Sequence, residues 1–173
     1  LIGARVYQFW MSDVNFPVNH PQYLGDLDPY EPAGVKMLKD SDVIIGIGCS
    51  MFDKAFYQQN SALPEGVKTI HIDDNQWEIG KNIPADCGIQ ADIKAAVYEL
   101  NQAIENEFTP SLTESVKQRI KEISEEKALN EKQLEKQIEE EKDRIPISVS
   151  RLMKEIREAM TRDTVVVDDC WSS

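Results

Sequence analysis

Two short apolar runs decide the fold: DVIIGIG at Asp42–Gly48 and KTIHID at Lys68–Asp73. The first run is almost continuously apolar, which is typical of a strand buried on both faces of a sheet. Similar β-type runs occur at Arg5–Trp10 and Cys87–Gln90, and helical patterns stand between several of them. This alternation predicts a parallel sheet covered by helices. We therefore expect an α/β fold with a doubly wound parallel sheet at least four strands wide.

The segments between these runs predict one long loop and two helices. Met11–Glu31 is rich in Asn, Asp and Pro and is predicted to be a loop, a kind of segment that is often functional when it is long. Pro32 suits the first turn of a helix. Apolar residues from Ile93 to Ile104 have helical spacing, and this helix closes the α/β unit.

The second half of the chain is dominated by charged helical sequence. Ser111 and Glu114 have the spacing of a capping box, which predicts the beginning of a long charged helix. Ile145-Pro146 interrupts it, a second amphipathic helix follows, and Thr164–Val167 predicts a terminal strand. We expect a central α/β domain at residues 1–106, a charged helical linker at 107–145 and the beginning of another domain at 146–173.

Composition excludes several classes of protein. The formal net charge of −12 opposes binding to a nucleic-acid backbone. No window approaches the roughly 18 consecutive apolar residues that a membrane span needs. The three cysteines form no C-x-x-C pair and only two histidines accompany them, so we expect a reducing, cytoplasmic setting without a structural metal.

Three blocks of sequence together resemble the central domain of thiamine-diphosphate-dependent enzymes, a family that includes acetolactate synthase, pyruvate decarboxylase and benzoylformate decarboxylase. The most specific block is TIHIDDNQWEIGK at Thr69–Lys81, which resembles the family's strand ending in Asp and the helix that follows it. A second is Asp40–Gly48. The third, FPVNHP at Phe16–Pro21 followed by Gly25, is most similar to the benzoylformate decarboxylase branch.

The resemblance implies that the chain is a fragment of a larger enzyme. Family members carry a preceding pyrimidine-binding domain with the Glu that activates the cofactor, and a following diphosphate-binding domain with a Gly-Asp-Gly motif. Neither is present, residues 146–173 resemble only the beginning of the latter, and the first β-α unit of the central domain is expected upstream of Leu1. The intact parent would bind thiamine diphosphate and Mg²⁺, act on a 2-keto acid by decarboxylation or carboligation, and form a homo-oligomer. The fragment alone is expected to be catalytically incomplete and to bind no cofactor.

His20 is the candidate catalytic residue. The resemblance places it where benzoylformate decarboxylases send a histidine from the central domain into the active site, and an imidazole can relay protons near neutral pH. The alternative is a surface histidine in a loop. His71 is expected to be structural, because it lies within a strand whose neighbouring residues point to the opposite face.

Two further sets of residues are candidates for cofactor binding. Gly46 and Gly48 could let a nucleotide phosphate approach, with Asp73 holding a ribose or adenine group of FAD or ADP. Cys49-Ser50 stands where flavin-binding relatives place Ala-Arg, which argues against this, and packing at the strand end is the alternative. Trp171 and Ser172 follow the last predicted strand, where the family's loop approaches the cofactor diphosphate.

Two other function classes stay open from the sequence alone. One is a nucleotide-binding regulatory domain that uses the Gly46 to Gly48 turn. The other is a helical interaction module built on residues 111–160, although the charged helix lacks a strict heptad and favours a solvated linker.

Overall fold

The computed structural model describes residues 1–9, 16–53 and 63–167, and the chain divides into two compact units, Leu1–Ser124 and Glu125–Ser173. Helix α3 (Pro110–Glu140) begins in the first unit and ends in the second. The elements that precede it are β1 (Val6–Phe9), β2 (Tyr23–Leu27), α1 (Pro32–Leu38), β3 (Val43–Ile47), β4 (Lys68–Asp73), β5 (Cys87–Gln90) and α2 (Ile93–Asn106), and α4 (Val149–Ala159) follows it. The α/β fold and the long charged helix predicted from the sequence are therefore confirmed.

Strands β3, β4 and β5 form a parallel three-stranded sheet with β4 in the middle. The bounds of β4 and β5 agree with the sequence prediction. Thr69, His71, Ile72 and Asp73 of β4 are all 5% exposed or less. The central strand is thus the most deeply buried of the three. The prediction that β3 is buried on both faces is wrong: Val43 and Ile47 are 44% and 41% exposed, because among the described strands β3 lies at the edge of this sheet.

Strands β1 and β2 form a second parallel sheet, which corrects two expectations. Residues Tyr23–Leu27 were expected to lie in a loop, yet they pair with β1. The sequence does not predict this strand, because Gly25, with φ +100°, and Asp26 interrupt its apolar residues. Among the described residues the strands therefore form sheets of two and three strands rather than one wider sheet.

An apolar cluster joins the two sheets of the first unit. Its buried members are Leu27 at the end of β2, Leu38 of α1, and Met51 and Phe52 after β3. The rings of Phe9 and Phe52 meet edge to face at 6.2 Å. The Tyr30 hydroxyl donates to the Phe52 carbonyl at 2.8 Å, and burial, followed by the charges of Asp28 and Asp53, raises the pKa of Tyr30 to about 12.

The beginning of α3 corrects the predicted capping box. The helix begins at Pro110 rather than after Ser111, and the Thr109 hydroxyl accepts from the Leu112 N–H at 3.2 Å. Proline favours the first helical position because its missing N–H would be unpaired there, so the cap falls on the residue before it. Helix α2 is capped in the same way, since the Asp92 carboxylate accepts from the Ala95 N–H at 2.9 Å.

The second unit carries a short helix with an exposed apolar side. Ser148 caps α4, and its hydroxyl accepts from the Arg151 N–H at 3.3 Å. Leu152, Met153 and Ile156 of this helix are 40–48% exposed. The predicted terminal strand is not formed in its described part, Thr164–Val167, and its valines are exposed. A strand needs a neighbour for its backbone hydrogen bonds, and no strand in the described part of the chain pairs with these residues.

Within residues 1–9, 16–53 and 63–167, none of the helices is both long and apolar enough to cross a membrane. The longest of these, α3, has 31 residues and is charged along most of its length.

Asp86 ties the beginning of β4 to the loop before β5, and this predicts an acid-sensitive contribution to stability. Its carboxylate accepts from Lys68 Nζ at 2.7 Å and from the Thr69 N–H at 2.9 Å. These bonds, that of Lys68 first, lower the pKa of Asp86. Because the folded-state pKa is below the unfolded one, the contribution is present above the unfolded pKa and is lost as pH falls through the folded pKa.

We therefore expect Asp86→Asn to lower the free energy of unfolding at neutral pH. As pH falls, the free energy of unfolding of this variant should decrease less steeply than that of the wild type. Urea unfolding at a series of pH values, from neutral to below the usual pKa of aspartate, measures this. Asp40→Asn, which removes a charge from the exposed turn after α1, is the control. Parallel pH curves for the wild type and Asp86→Asn would contradict the prediction.

Candidate functional site

The carboxyl edge of the three-stranded sheet is the first candidate site. In open parallel sheets, ligands bind outside the carboxyl ends of the strands. Residues 48–51 follow β3, and residues 73–82 include the end of β4 and the turns after it. We call these two segments the strand-end region.

Gly46 and Gly48 are needed there by the protein's own packing. A Cβ added at Gly46 would lie 2.9 Å from the Met51 sulfur, so Met51 fills the space beside this residue. Gly48 has φ +56°, a left-handed conformation that favours glycine. Its N–H donates to the Ile72 carbonyl at 2.9 Å. Packing and backbone conformation thus explain the glycine at both positions without a bound ligand.

Asp73 is also engaged by the protein itself. It is 5% exposed, and one carboxylate oxygen accepts from the Asn75 N–H at 2.8 Å. The Asn75 side chain in turn accepts from the Trp77 N–H at 3.1 Å. The carboxylate therefore organises the turn after β4.

Three side-chain hydrogen bonds connect the segment after β3 with β4 and the turns after it. The Ser50 hydroxyl donates to Glu78 Oε2 at 2.6 Å, His71 Nε2 lies 3.0 Å from the Cys49 carbonyl, and Asn82 Nδ2 donates to the Met51 carbonyl at 3.3 Å. We call these three bonds the strand-end clamp. The clamp holds residues 49–51 against β4 and the turns after it.

His71 occupies a structural position within the clamp, as its place in β4 indicated. It is 1% exposed, and its Nδ1 accepts from the Gly80 N–H at 3.3 Å. Because Nδ1 accepts, the proton of the neutral ring lies on Nε2, which donates to the Cys49 carbonyl. Both ring nitrogens are therefore satisfied.

The charges at this edge are mostly negative. The Ser50 hydroxyl, followed by the bond from Lys81, lowers the pKa of Glu78, so its carboxylate stays ionised at neutral pH. Burial is the main cause that raises the pKa of the Cys49 thiol, and Asp73 and Glu78 add to it. The raised pKa favours the thiol form of Cys49 over the thiolate, which is the nucleophilic form.

His20 lies in a different part of the first unit, in the turn before β2. Its ring is half-buried and meets Phe16 edge to face at 5.1 Å. Nδ1 accepts from the Gln22 N–H at 3.2 Å, and the backbone is fixed by bonds from the His20 N–H to the Pro17 carbonyl and from the Tyr23 N–H to the His20 carbonyl. The bond at Nδ1 places the proton of the neutral ring on Nε2.

The structure brings Gly46, Gly48 and Asp73 together, but His20 precedes the amino end of β2 whereas they lie at the carboxyl ends of β3 and β4. Trp171 and Ser172 lie outside the described residues. Sequence reasoning missed Ser50, Glu78 and Asn82 as partners. Two of them had been noted for other reasons: Ser50 as part of Cys49-Ser50, and Glu78 within the block that resembles the family.

The described residues do not build a metal site by themselves. Among residues 1–9, 16–53 and 63–167, no group of three His, Cys, Asp or Glu side chains could hold a metal ion. A magnesium ion that carries a diphosphate is usually held by one or two carboxylates together with the phosphates themselves. No step of cofactor chemistry follows from the described side chains.

Comparison with known proteins agrees with the geometry of the first unit. Residues 1–100 match the family model described as "Thiamine pyrophosphate enzyme, central domain". The chain belongs to this family. The match covers all five strands and the first part of α2, so it identifies the α/β unit rather than the charged helix as the family domain. It favours neither the nucleotide-binding regulatory domain nor the helical interaction module.

Several curated relatives carry the names of enzymes. Acetolactate synthase of Mycobacterium avium is 34% identical over 64% of this chain and 18% of its own length. A probable acetolactate synthase large subunit of Methanococcus aeolicus is 29% identical over 87% of this chain and 26% of its own length. Sulfoacetaldehyde acetyltransferase of Castellaniella defragrans is 26% identical over 60% and 18%. The chain thus spans about a quarter or less of these relatives.

Proposed function

We propose that this chain is the central domain of a thiamine-diphosphate-dependent enzyme that decarboxylates or condenses 2-keto acids. The observation that carries the proposal is the family match over residues 1–100, together with relatives named acetolactate synthase. The parent would be a cytoplasmic homo-oligomer that also binds Mg²⁺. Its cofactor, when bound, acts as the electron sink for the carbanion left by decarboxylation, and the protein contributes binding, orientation and proton transfer.

The division of the strands into two sheets supports the proposal that a β-α unit from upstream of Leu1 completes the domain. Among the described strands, β1 pairs only with β2, and β3 pairs only with β4 and not with β1. In the doubly wound order the first strand of the domain lies between the second and the fourth. A parallel strand from upstream of Leu1, placed between β1 and β3, would join the observed pairs into one sheet.

The exposed residues of the second unit support a continuation into the diphosphate-binding domain. Helix α4 exposes Leu152, Met153 and Ile156, and the valines of Thr164–Val167 are 61–87% exposed. Apolar faces of this kind are normally covered. On this proposal residues 146–173 begin that domain, residues 107–145 link it to the central domain at 1–106, and Trp171 and Ser172 approach the cofactor diphosphate.

The test is the activity of the full-length parent. We expect carbon dioxide release from at least one member of a panel of straight-chain, branched and aryl 2-keto acids. Activity should disappear on removal of thiamine diphosphate and Mg²⁺ and return when both are restored. Turnover that does not depend on the cofactor, or no turnover of any 2-keto acid by a folded, cofactor-loaded parent, would contradict the proposal.

A further inference from the structure

The four residues before β1 contact both helix α3 and the turn before β2. Arg119 Nη2 of α3 donates to the Ile2 carbonyl at 2.9 Å. Two residues later, the Ala4 carbonyl accepts from Gln22 Nε2 at 2.7 Å. We call Leu1–Ala4 the amino-terminal bridge, because one of its carbonyl groups binds α3 and another binds the turn before β2.

Gly3 brings the amino-terminal bridge into close contact with the backbone of α3. The residue is buried and has φ +62°. A Cβ at this position would lie 3.0 Å from the Val116 carbonyl oxygen and 3.4 Å from the Arg119 Cβ. Val116 is itself only 6% exposed. The bridge is therefore packed against α3, in addition to the hydrogen bond from Arg119.

Gln22 connects the amino-terminal bridge to the imidazole of His20. Its side chain binds the Ala4 carbonyl, and its N–H donates to His20 Nδ1 at 3.2 Å. Its own carbonyl accepts from the Val6 N–H at 2.9 Å. One residue thus holds the bridge, the imidazole and the beginning of β1. A displacement of the bridge would move Gln22 and weaken the bond to Nδ1, since hydrogen bonds weaken steeply when their geometry departs from linear.

We propose that α3 positions His20 through the amino-terminal bridge, with Arg119 and Gln22 as the positioning residues. Each of the two side chains binds a backbone carbonyl of the bridge, so its effect on the imidazole is indirect. The beginning of α3 thereby acts on the candidate catalytic histidine as well as leading out of the α/β unit. This inference rests on the proposed function only for the role of His20 in the parent.

Hydrogen exchange of the amide at position 22, followed by NMR on this chain, tests the proposal. Gln22→Ala keeps this amide but loses the bond to the Ala4 carbonyl. Gln22→Glu keeps the length of the side chain, yet its ionised carboxylate cannot donate at neutral pH. In both variants the amide should exchange about tenfold faster, after correction for the intrinsic rate of each residue. The chemical shifts of the His20 ring protons should also change, because the Phe16 ring lies 5.1 Å from the imidazole.

Two variants at the other end of the bridge test the contribution of α3. Gly3→Ala places a methyl group against the Val116 carbonyl oxygen, which should displace the bridge and raise the exchange rate of the Gln22 amide by about tenfold. Arg119→Ala removes an exposed hydrogen bond, which contributes less, so the rate should rise by about threefold.

Two controls separate this effect from a general loss of stability. Gln118→Ala changes an exposed residue of α3 that binds Glu122 of the same helix at 2.8 Å, and it should leave the exchange rate of the Gln22 amide unchanged. The Ala91 amide donates to the Asp73 carbonyl at 3.1 Å, beyond β5. It should exchange at the wild-type rate in every variant.

The proposal is overturned if the amide at position 22 keeps its wild-type exchange rate in folded Gly3→Ala and Arg119→Ala proteins. It is also overturned if the Ala91 amide accelerates by the same factor, because the bridge would then only support the whole unit. Thermal unfolding verifies that each variant is folded, and Arg119→Ala decides if Gly3→Ala does not fold. The measurements use neither cofactor nor 2-keto acid, so failure here is distinguishable from failure of the proposed function.

Discussion

Gly34→Ala is expected to destabilise the first unit by about 3 kcal/mol or more, although the same change usually stabilises a helix. Gly34 lies within α1 and is buried. A Cβ at this position would be 1.7 Å from the Asp28 carbonyl oxygen and 2.5 Å from its carbon. Because both are backbone atoms, no side-chain rotation relieves the overlap. The usual gain of about 0.5–1 kcal/mol from replacing a helical glycine is therefore reversed.

Urea unfolding followed by far-UV circular dichroism measures this change in the free energy of unfolding. Gly66→Ala is the matched control, because it adds the same methyl group where nothing lies within 4 Å. Gly66 has φ +79°, so its replacement should cost only the strain of a left-handed residue, about 1–2 kcal/mol. A Gly34→Ala protein as stable as the wild type would show that α1 does not pack this closely on the turn at Asp28.

The strands that the sequence predicted well are those that a local run of β-type residues marks, although β3 and β5 are not fully buried. Strands β4 and β5 have the predicted bounds, and β3 lies within the predicted run Asp42–Gly48. Strand β2 was missed because its formation depends on pairing with β1 and not on its own pattern. The opposite holds for the predicted strand at Thr164–Val167. Its β-branched residues favour a strand, but no strand among the described residues pairs with it.

The candidate site could be predicted only in part, because some of its contacts join residues that are far apart in the sequence. Gly46, Gly48 and Asp73 fall at strand ends, which periodicity locates. The bond between Ser50 and Glu78 joins residues 28 positions apart, and no local pattern reports it. The close approach of Gly34 to Asp28 depends in the same way on how α1 packs. Contacts between elements thus decide which glycines and polar residues are already engaged.

Replacing His20 by alanine in the full-length parent is expected to lower kcat by about 10²–10⁴-fold, if His20 is the proton-transfer residue that the resemblance implies. The structure supports a defined orientation of the ring. The Gln22 N–H fixes Nδ1 and the Phe16 ring packs on it, so Nε2 is the atom that carries the exchangeable proton of the neutral ring. The defect should fall on kcat more than on cofactor affinity.

The same contacts predict a separate, smaller effect on stability. His20→Ala leaves the Gln22 N–H without its acceptor, which costs about 1 kcal/mol. His20→Asn can replace Nδ1 as an acceptor, since an asparagine side chain readily accepts from the N–H two residues later. His20→Gln extends its polar group toward the position of Nε2 instead.

These two variants separate a catalytic from a structural role. If Nε2 transfers a proton, His20→Asn should recover the free energy of unfolding but not kcat, because an amide neither donates nor accepts a proton as an imidazole does near neutral pH. A catalytic imidazole should also contribute a limb to the pH profile of kcat that both variants lack. If the histidine only supports the turn before β2, His20→Asn should recover stability and turnover together, and the pH profile should not change. Two measurements on each variant decide between these roles: steady-state kinetics with an aryl and a branched 2-keto acid, and urea unfolding. Recovery of kcat in His20→Asn would remove His20 from the mechanism.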